Sequence, residues 1–171
     1  MIIICNNYFV MDQQKKKGGA QLAFLLAQVG GHAASQFAER LSVLQLTPPD
    51  AGILRLLGIS AGVSQQELSG KLGIHPSRLV AILDELERRG FVQRNPNMND
   101  RRQHALHLTE DGRKVLDEIG LIGRQHQEAL CAALNHAERE TLAELLHKIA
   151  GEQRLTPGVH PGYRQMKPEP K

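Results

Sequence analysis

The chain has 171 residues, 41% apolar and 23% charged, a balance that supports a folded core and excludes a disordered or fibrous protein. Its 21 Lys and Arg against 18 Asp and Glu give a net charge of +3, which permits a nucleic-acid partner without establishing one. No apolar run exceeds about six residues, far below the roughly 20 that cross a bilayer, so no membrane partner is expected; two distant cysteines, Cys5 and Cys131, exclude a disulfide-stapled or zinc-ribbon scaffold.

Residues 1–19 read as a flexible arm. Ile2 to Ile4 and Tyr8 to Met11 are short apolar patches, and Lys15 to Lys17 follow them, the reverse of a secretory signal; Met11 is the natural start. Leu22, Leu25, Leu26, Val29, Ala33, Phe37 and Leu41 then follow the spacing of a long amphipathic helix within residues 20–46. Gly30 and Gly31 interrupt it at about 1 kcal/mol each and permit a bend or close packing. Thr47-Pro48-Pro49-Asp50 opens a second helix, with Thr47 accepting an orphan amide, Pro48 in the first turn and Gly58 at the exit.

Ser64-Gln-Gln-Glu67 is a capping-box signature for a short third helix, with Gly70 and Gly73 bracketing its end. Pro76 opens a fourth, striped by Leu79, Ile82, Leu83 and Leu86 and ending at Gly90. Phe91 to Arg94 and Ala105 to Leu108 read as two strands of a hairpin with a long polar tip, Asn95 to Asp100. Thr109, with Glu110 and Asp111, caps a fifth helix striped by Val115, Ile119, Ile122, His126, Leu130 and Leu134. Its span of about 26 residues, roughly 39 Å, is more than a small core can cover. Asn135 caps a sixth helix with Leu142, Leu145, Leu146 and Ile149 on one face and Gly151 at its exit. Residues 151–171 hold half of the prolines and read as a disordered or partner-draping tail.

Short helix, glycine turn, helix, hairpin is the order of a winged helix-turn-helix. The expected fold is therefore mainly α (α+β), with residues 47–108 as the winged lobe and long helices at 20–46 and 109–150 forming a dimerisation region. The helix opening at Pro76 suits the major groove of double-stranded DNA, its first turn presenting Ser77 and Arg78 to base edges or phosphates. Ser64 and Gln65, at the head of the preceding helix, and His75 complete the candidate contacts from this motif. Around the hairpin lie Arg88, Arg89, Arg94, Arg101 and Arg102 against Glu87 and Asp100. Paired arginines at a protruding tip repel each other unless an anion is near, and a narrow minor groove supplies one. Asp100 suits a fork that holds Arg102 extended.

Ser64-Gln-Gln-Glu-Leu68, Leu72-Gly73, Pro76-Ser77, Leu86-Glu-Arg-Arg-Gly90-Phe-Val, Asp100-Arg-Arg102 and Leu108-Thr-Glu-Asp-Gly112 together resemble the multiple-antibiotic-resistance regulator (MarR) family over residues 20–150. The resemblance implies a cytoplasmic, homodimeric transcription regulator, more often a repressor, that binds a pseudo-palindromic operator and is released by a small aromatic or phenolic effector. It also implies that Ser77 and Arg78 are recognition-helix contacts, that Arg102 enters the minor groove with Asp100 as its orienting partner, and that Arg101 contacts phosphate. Many members carry Thr and a basic residue in mid-helix where this chain has Val80 and Ala81, so shape and phosphate contacts are expected to weigh more. The rival reading is a winged-helix module that binds protein, its arginines gripping an acidic partner.

Other chemistry is not expected. The sequence is read as holding no nucleophile elbow, no phosphate-cradling glycine loop and no His-Glu-x-x-His segment, so an enzyme is not expected. No cofactor or metal is expected either: His104 and His107, three apart on a strand, face opposite ways, and His126, His136 and His147 form no close ligand pair. Cys131 reads as a buried, inert thiol.

Overall fold

A computed structural model of the chain describes residues 21–96, 104–160 and 163. Helix α1, Leu22–Leu41, runs without a break through Gly30 and Gly31, and no close packing among the described residues requires either glycine. A 3-10 turn, Ser42–Leu44, follows, and Gln45 takes a left-handed φ of 53°. Helix α2 spans Pro48–Ile59. At its head a capping box closes: the Asp50 carboxylate accepts both the Thr47 N–H and the Thr47 hydroxyl at 2.7 Å, and the Thr47 side chain in turn accepts from the Asp50 backbone, as the sequence suggests.

The two glycines of α2 have packing reasons. Gly58 does not end the helix. A Cβ there would stand 2.4 Å from a Leu116 methyl, so glycine lets helix α5, Glu110–Leu130, approach closely. Gly52 plays the same part for Tyr163, whose hydroxyl would lie 2.7 Å from a Cβ.

Helices α3, Gln65–Leu72, and α4, Pro76–Arg88, form the helix-turn-helix. Gly70 lies inside α3, while Gly73 ends it in the left-handed conformation (φ 66°) that only a glycine adopts without strain. The sheet holds three strands and not the two of a hairpin. β1, Val63–Ser64, pairs with β3, His104–Leu108, which pairs with β2, Val92–Pro96, giving the antiparallel order β1-β3-β2. Register puts Val63 opposite Leu106 and Val92 opposite Leu108. The fully buried core of this lobe is aliphatic: Leu41, Ile53, Leu54, Leu57, Leu68, Leu72, Ile74, Leu79, Leu83, Leu86 and Leu106. Each such side chain contributes about 1.5–3 kcal/mol of burial.

Helix α5 ends at Leu130, four residues short of the expected stripe. Helix α6, His136–Glu152, starts from Asn135, which accepts the Glu138 amide while Glu138 accepts the Asn135 amide. Arg139 ties the connecting turn, donating to the carbonyls of Cys131 and Leu134 and pairing with Glu128 at 2.7 Å. Beyond α6 the chain turns back, and Tyr163 is buried at 9% exposure. The expected tail is therefore anchored to the body at that residue. The chain divides into two units, Met1–Phe37 and Ala38–Lys171, with the boundary inside α1. No helix among the described residues is long and apolar enough to cross a membrane.

Candidate nucleic-acid interface

The first turn of α4 is the exposed business end of the winged lobe. His75 caps the helix: its Nδ1 lies 2.9 Å from the Ser77 hydroxyl and accepts the Ser77 amide at 3.4 Å. Pro76 occupies the first helical position, where its missing N–H costs nothing. Leu79, Leu83 and Leu86 anchor the inner face, leaving His75, Pro76 and Ser77 exposed and Arg78 half-buried. The first-turn amides are spent on His75, those of Arg78 and Leu79 both reaching its carbonyl at 3.0 Å, so what this end offers an anion is the helix dipole and the side chains. Val80, at 37% exposure, and Ala81 continue the same exposed side and offer no polar side-chain group there.

Ser64 is engaged in its own helix cap. It is 6% exposed, its hydroxyl donates to Glu67 at 2.9 Å and accepts the Glu67 amide at 3.2 Å, and its N–H donates to the same carboxylate at 2.8 Å. Those bonds from Ser64 hold the Glu67 carboxyl below the usual carboxylate range. Ser64 thus builds the turn, with its N–H and hydroxyl donors both spent on Glu67. Gln65 next to it remains half-exposed. With Gln66, Ser69, Pro76, Arg94 and His104, it lines a cleft of about 370 Å³ between α3, the head of α4 and the sheet.

The described members of the arginine cluster are structural. Arg88 lies along Glu85, with bonds of 2.8 and 2.6 Å. Arg89 donates to the carbonyls of Gln45 (2.7 Å) and Leu44 (2.9 Å) and sits 4.7 Å over the Phe91 ring. Arg94 is gripped by Glu87 and by Asp84 at 2.5 Å. Three of the five arginines grouped around the hairpin are thus bound within the chain, and their count overstated the free positive charge. Asp100, Arg101 and Arg102 lie outside the described residues.

The Thr109-x-x-Gly112 segment fixes the root of the wing. The Thr109 hydroxyl donates to the Gly90 carbonyl at 2.6 Å and accepts the Gly112 amide at 2.9 Å, while the Thr109 N–H donates to Phe91 O at 3.1 Å. A Cβ on Gly112 would sit 1.9 Å from that same Phe91 oxygen, which makes glycine obligatory. Gly90 itself is left-handed, with φ 76°.

Gly58-Ile59-Ser60-Ala61-Gly62 does spell a nucleophile elbow, contrary to the sequence reading, but an elbow requires a strand leading into a helix. Here Ser60 caps the C-terminus of α2, its amide bonded to Leu56 O, and the order is helix then strand. Cys131 is half-buried at the C-cap of α5 and not in a helix interior. Among the described residues no group of three His, Cys, Asp or Glu side chains is placed to hold a metal ion.

The comparisons agree with this geometry. The model of the MarR family matches residues 46–104. The chain is 30% identical over 138 residues to a transcriptional regulatory protein assigned to the hcr operon of Thauera aromatica, covering 80% of this chain and 83% of that one. It is 31% identical over 112 residues to the multiple antibiotic resistance protein MarR of Escherichia coli K12, covering 65% and 78%. Among solved structures, the transcriptional repressor CouR bound to a 23-mer DNA duplex superposes with a TM-score of 0.68 at 33% identity, over 75% of this chain and 92% of that one.

Proposed function

The chain belongs to the MarR family, and from that membership we propose that it is a sequence-specific, DNA-binding transcriptional regulator acting as a repressor. One observation carries the reading: the first turn of α4 stands with Pro76 and Ser77 exposed and Arg78 half-buried on a rigidly cored helix, in a fold shared with a repressor described on a DNA duplex. His75, Gln65, Ser77 and Arg78 form the contact set from the helix-turn-helix. Asp100, Arg101 and Arg102 form the wing set, with Arg102 in the minor groove and Arg101 on phosphate.

The working species is a homodimer. Leu22, Phe24, Leu25 and Val29 on α1, and separately Leu142, Leu145, Leu146 and Ile149 on α6, are each between 39% and 66% exposed, so each helix carries apolar side chains that one protomer leaves uncovered. A two-fold dimer reads a pseudo-palindromic operator, with half-sites about one DNA turn apart. Release follows from a small aromatic or phenolic effector, and a cleft of about 370 Å³ is large enough for one such molecule. The protein acts in the cytoplasm, where its DNA target lies, and the reading gives it no catalytic step.

Selecting fragments of the source genome on the purified full-length protein tests the proposal. A two-fold symmetric motif among the retained fragments is the expected result. An unenriched pool would favour the rival protein-binding module, for which the apolar Val80-Ala81 side of α4 is the supporting feature.

A further inference from the structure

At the head of α4 a single residue, His75, meets every backbone donor of the first turn. Pro76 has no N–H, the Arg78 and Leu79 amides both reach the His75 carbonyl at 3.0 Å, and the Ser77 amide reaches the His75 ring at 3.4 Å. An amide can only donate, so the Nδ1 that receives it carries no hydrogen, which assigns the ring hydrogen to Nε2. The same Nδ1 stands 2.9 Å from the Ser77 hydroxyl, and between a bare nitrogen and a hydroxyl the hydroxyl donates. That bond consumes the one hydrogen that Ser77 Oγ has. Only lone pairs remain to it, on an exposed side chain whose helix is seated by Leu79, Leu83 and Leu86, none more than 1% exposed.

We infer that His75 is a positioning residue that sets base specificity: its ring holds the Ser77 hydroxyl hydrogen, so Ser77 meets the major groove as an acceptor alone, for the exocyclic amino group of an adenine or a cytosine. Ser77 as a base contact rests on the regulatory reading proposed above; the pairing with His75 adds the sign of that contact. A free serine hydroxyl rotates to suit a donor or an acceptor and so distinguishes bases poorly. With its hydrogen held by Nδ1 it meets adenine N6 or cytosine N4 favourably, and sets lone pair against lone pair at guanine O6 or thymine O4. From Pro76 to Ala81, Arg78 only donates, and Pro76, Leu79, Val80 and Ala81 have no polar side-chain group. Ser77 is therefore the one acceptor side chain that this stretch brings to base edges.

Duplexes selected by the full-length protein, compared with those selected by Ser77→Ala, locate the base pair that Ser77 reads: it is the position whose preference disappears in the variant. Fluorescence anisotropy titrations on duplexes changed at that pair alone then read the sign of the contact. Hypoxanthine for adenine, or uracil for cytosine, each with its complement, puts a carbonyl oxygen where the amino group stood. Wild type should bind the amino duplex about 5- to 10-fold more tightly than the carbonyl duplex. His75→Ala frees the hydroxyl to donate, and the ratio should fall to about 2-fold or less. His75→Asn keeps an oxygen that caps the helix and accepts the hydroxyl, and should restore the ratio. His75→Gly, a tolerated cap without a ring, carries the comparison should His75→Ala not fold. If His75 serves only to cap the helix, its loss weakens both duplexes alike and leaves the ratio at the wild-type value, which would overturn the inference. So would a wild type that binds both duplexes equally, or a Ser77→Ala selection with every preference intact. Those three results leave a selected motif, and the regulatory reading, standing; an unenriched wild-type pool removes the regulatory reading and the base contact together.

Discussion

Replacing Gly112 with alanine adds one methyl group at the most crowded point of the wing root. The added Cβ would lie 1.9 Å from Phe91 O, so α5 or the wing strand must retreat by roughly 1 Å to restore ordinary contact. That retreat strains the bonds of Thr109 to Gly90 O (2.6 Å) and Phe91 O (3.1 Å), which set the wing's angle. Overpacking of this kind costs about 1–3 kcal/mol and loss of a helix cap about 0.5–2 kcal/mol, so about 3 kcal/mol is expected in total. Gly70 provides the control. It lies inside α3 with nothing within 4 Å of a Cβ, and alanine there should stabilise by up to about 1 kcal/mol. Urea unfolding followed by circular dichroism, at one fixed protomer concentration, measures both; with a slope of about 2 kcal/mol per molar, the Gly112→Ala midpoint should fall by more than about 1 M. Equal midpoints for Gly112→Ala and Gly70→Ala would refute the close-approach argument.

Arg78→Ala and Arg102→Ala should each weaken operator binding by about 1–3 kcal/mol in a gel-shift titration, and wild-type affinity for either would remove that residue from the interface. Leu145→Asp places a charge on the exposed apolar face of α6 and should shift the light-scattering mass toward one protomer. Arg89→Ala breaks the link from α4 to Leu44 and Gln45 and should cost about 1.5–3 kcal/mol in the same urea titration, being a charge-assisted pair of bonds. The capping box gives a pH signature. The folded Glu67 pKa lies below its unfolded value, so its stabilisation is present above about pH 4.3 and disappears as pH falls through the folded pKa. Glu67→Gln should therefore flatten the melting temperature against pH on the acid side, and an unchanged profile would count against the assignment.

Features determined within three or four residues were readable from the sequence. Ser64 with Glu67, Thr109 with Gly112 and Asn135 with Glu138 each close a hydrogen-bonded ring over three residues, so residue types alone locate the helix starts. Features set by distant partners were not. β1 is two residues long and carries no periodicity; it exists because Val63 and Ser64 meet Leu106 and Ala105. Gly58 looked like a helix exit because local sequence cannot show Leu116 arriving from α5. The burial of Ser64 comes from that same strand pairing and has no local signal either. The arginines were grouped by proximity along the chain, yet Arg89 is bound to carbonyls 44 and 45 residues upstream. The docked Tyr163 gave no local signal at all.

The pairing of Arg88 with Glu85 and of Arg94 with Asp84 and Glu87 bears on salt dependence. Cations already neutralised by carboxylates displace few small ions from a polyanion, so these two arginines should add little to the slope of DNA affinity against ionic strength.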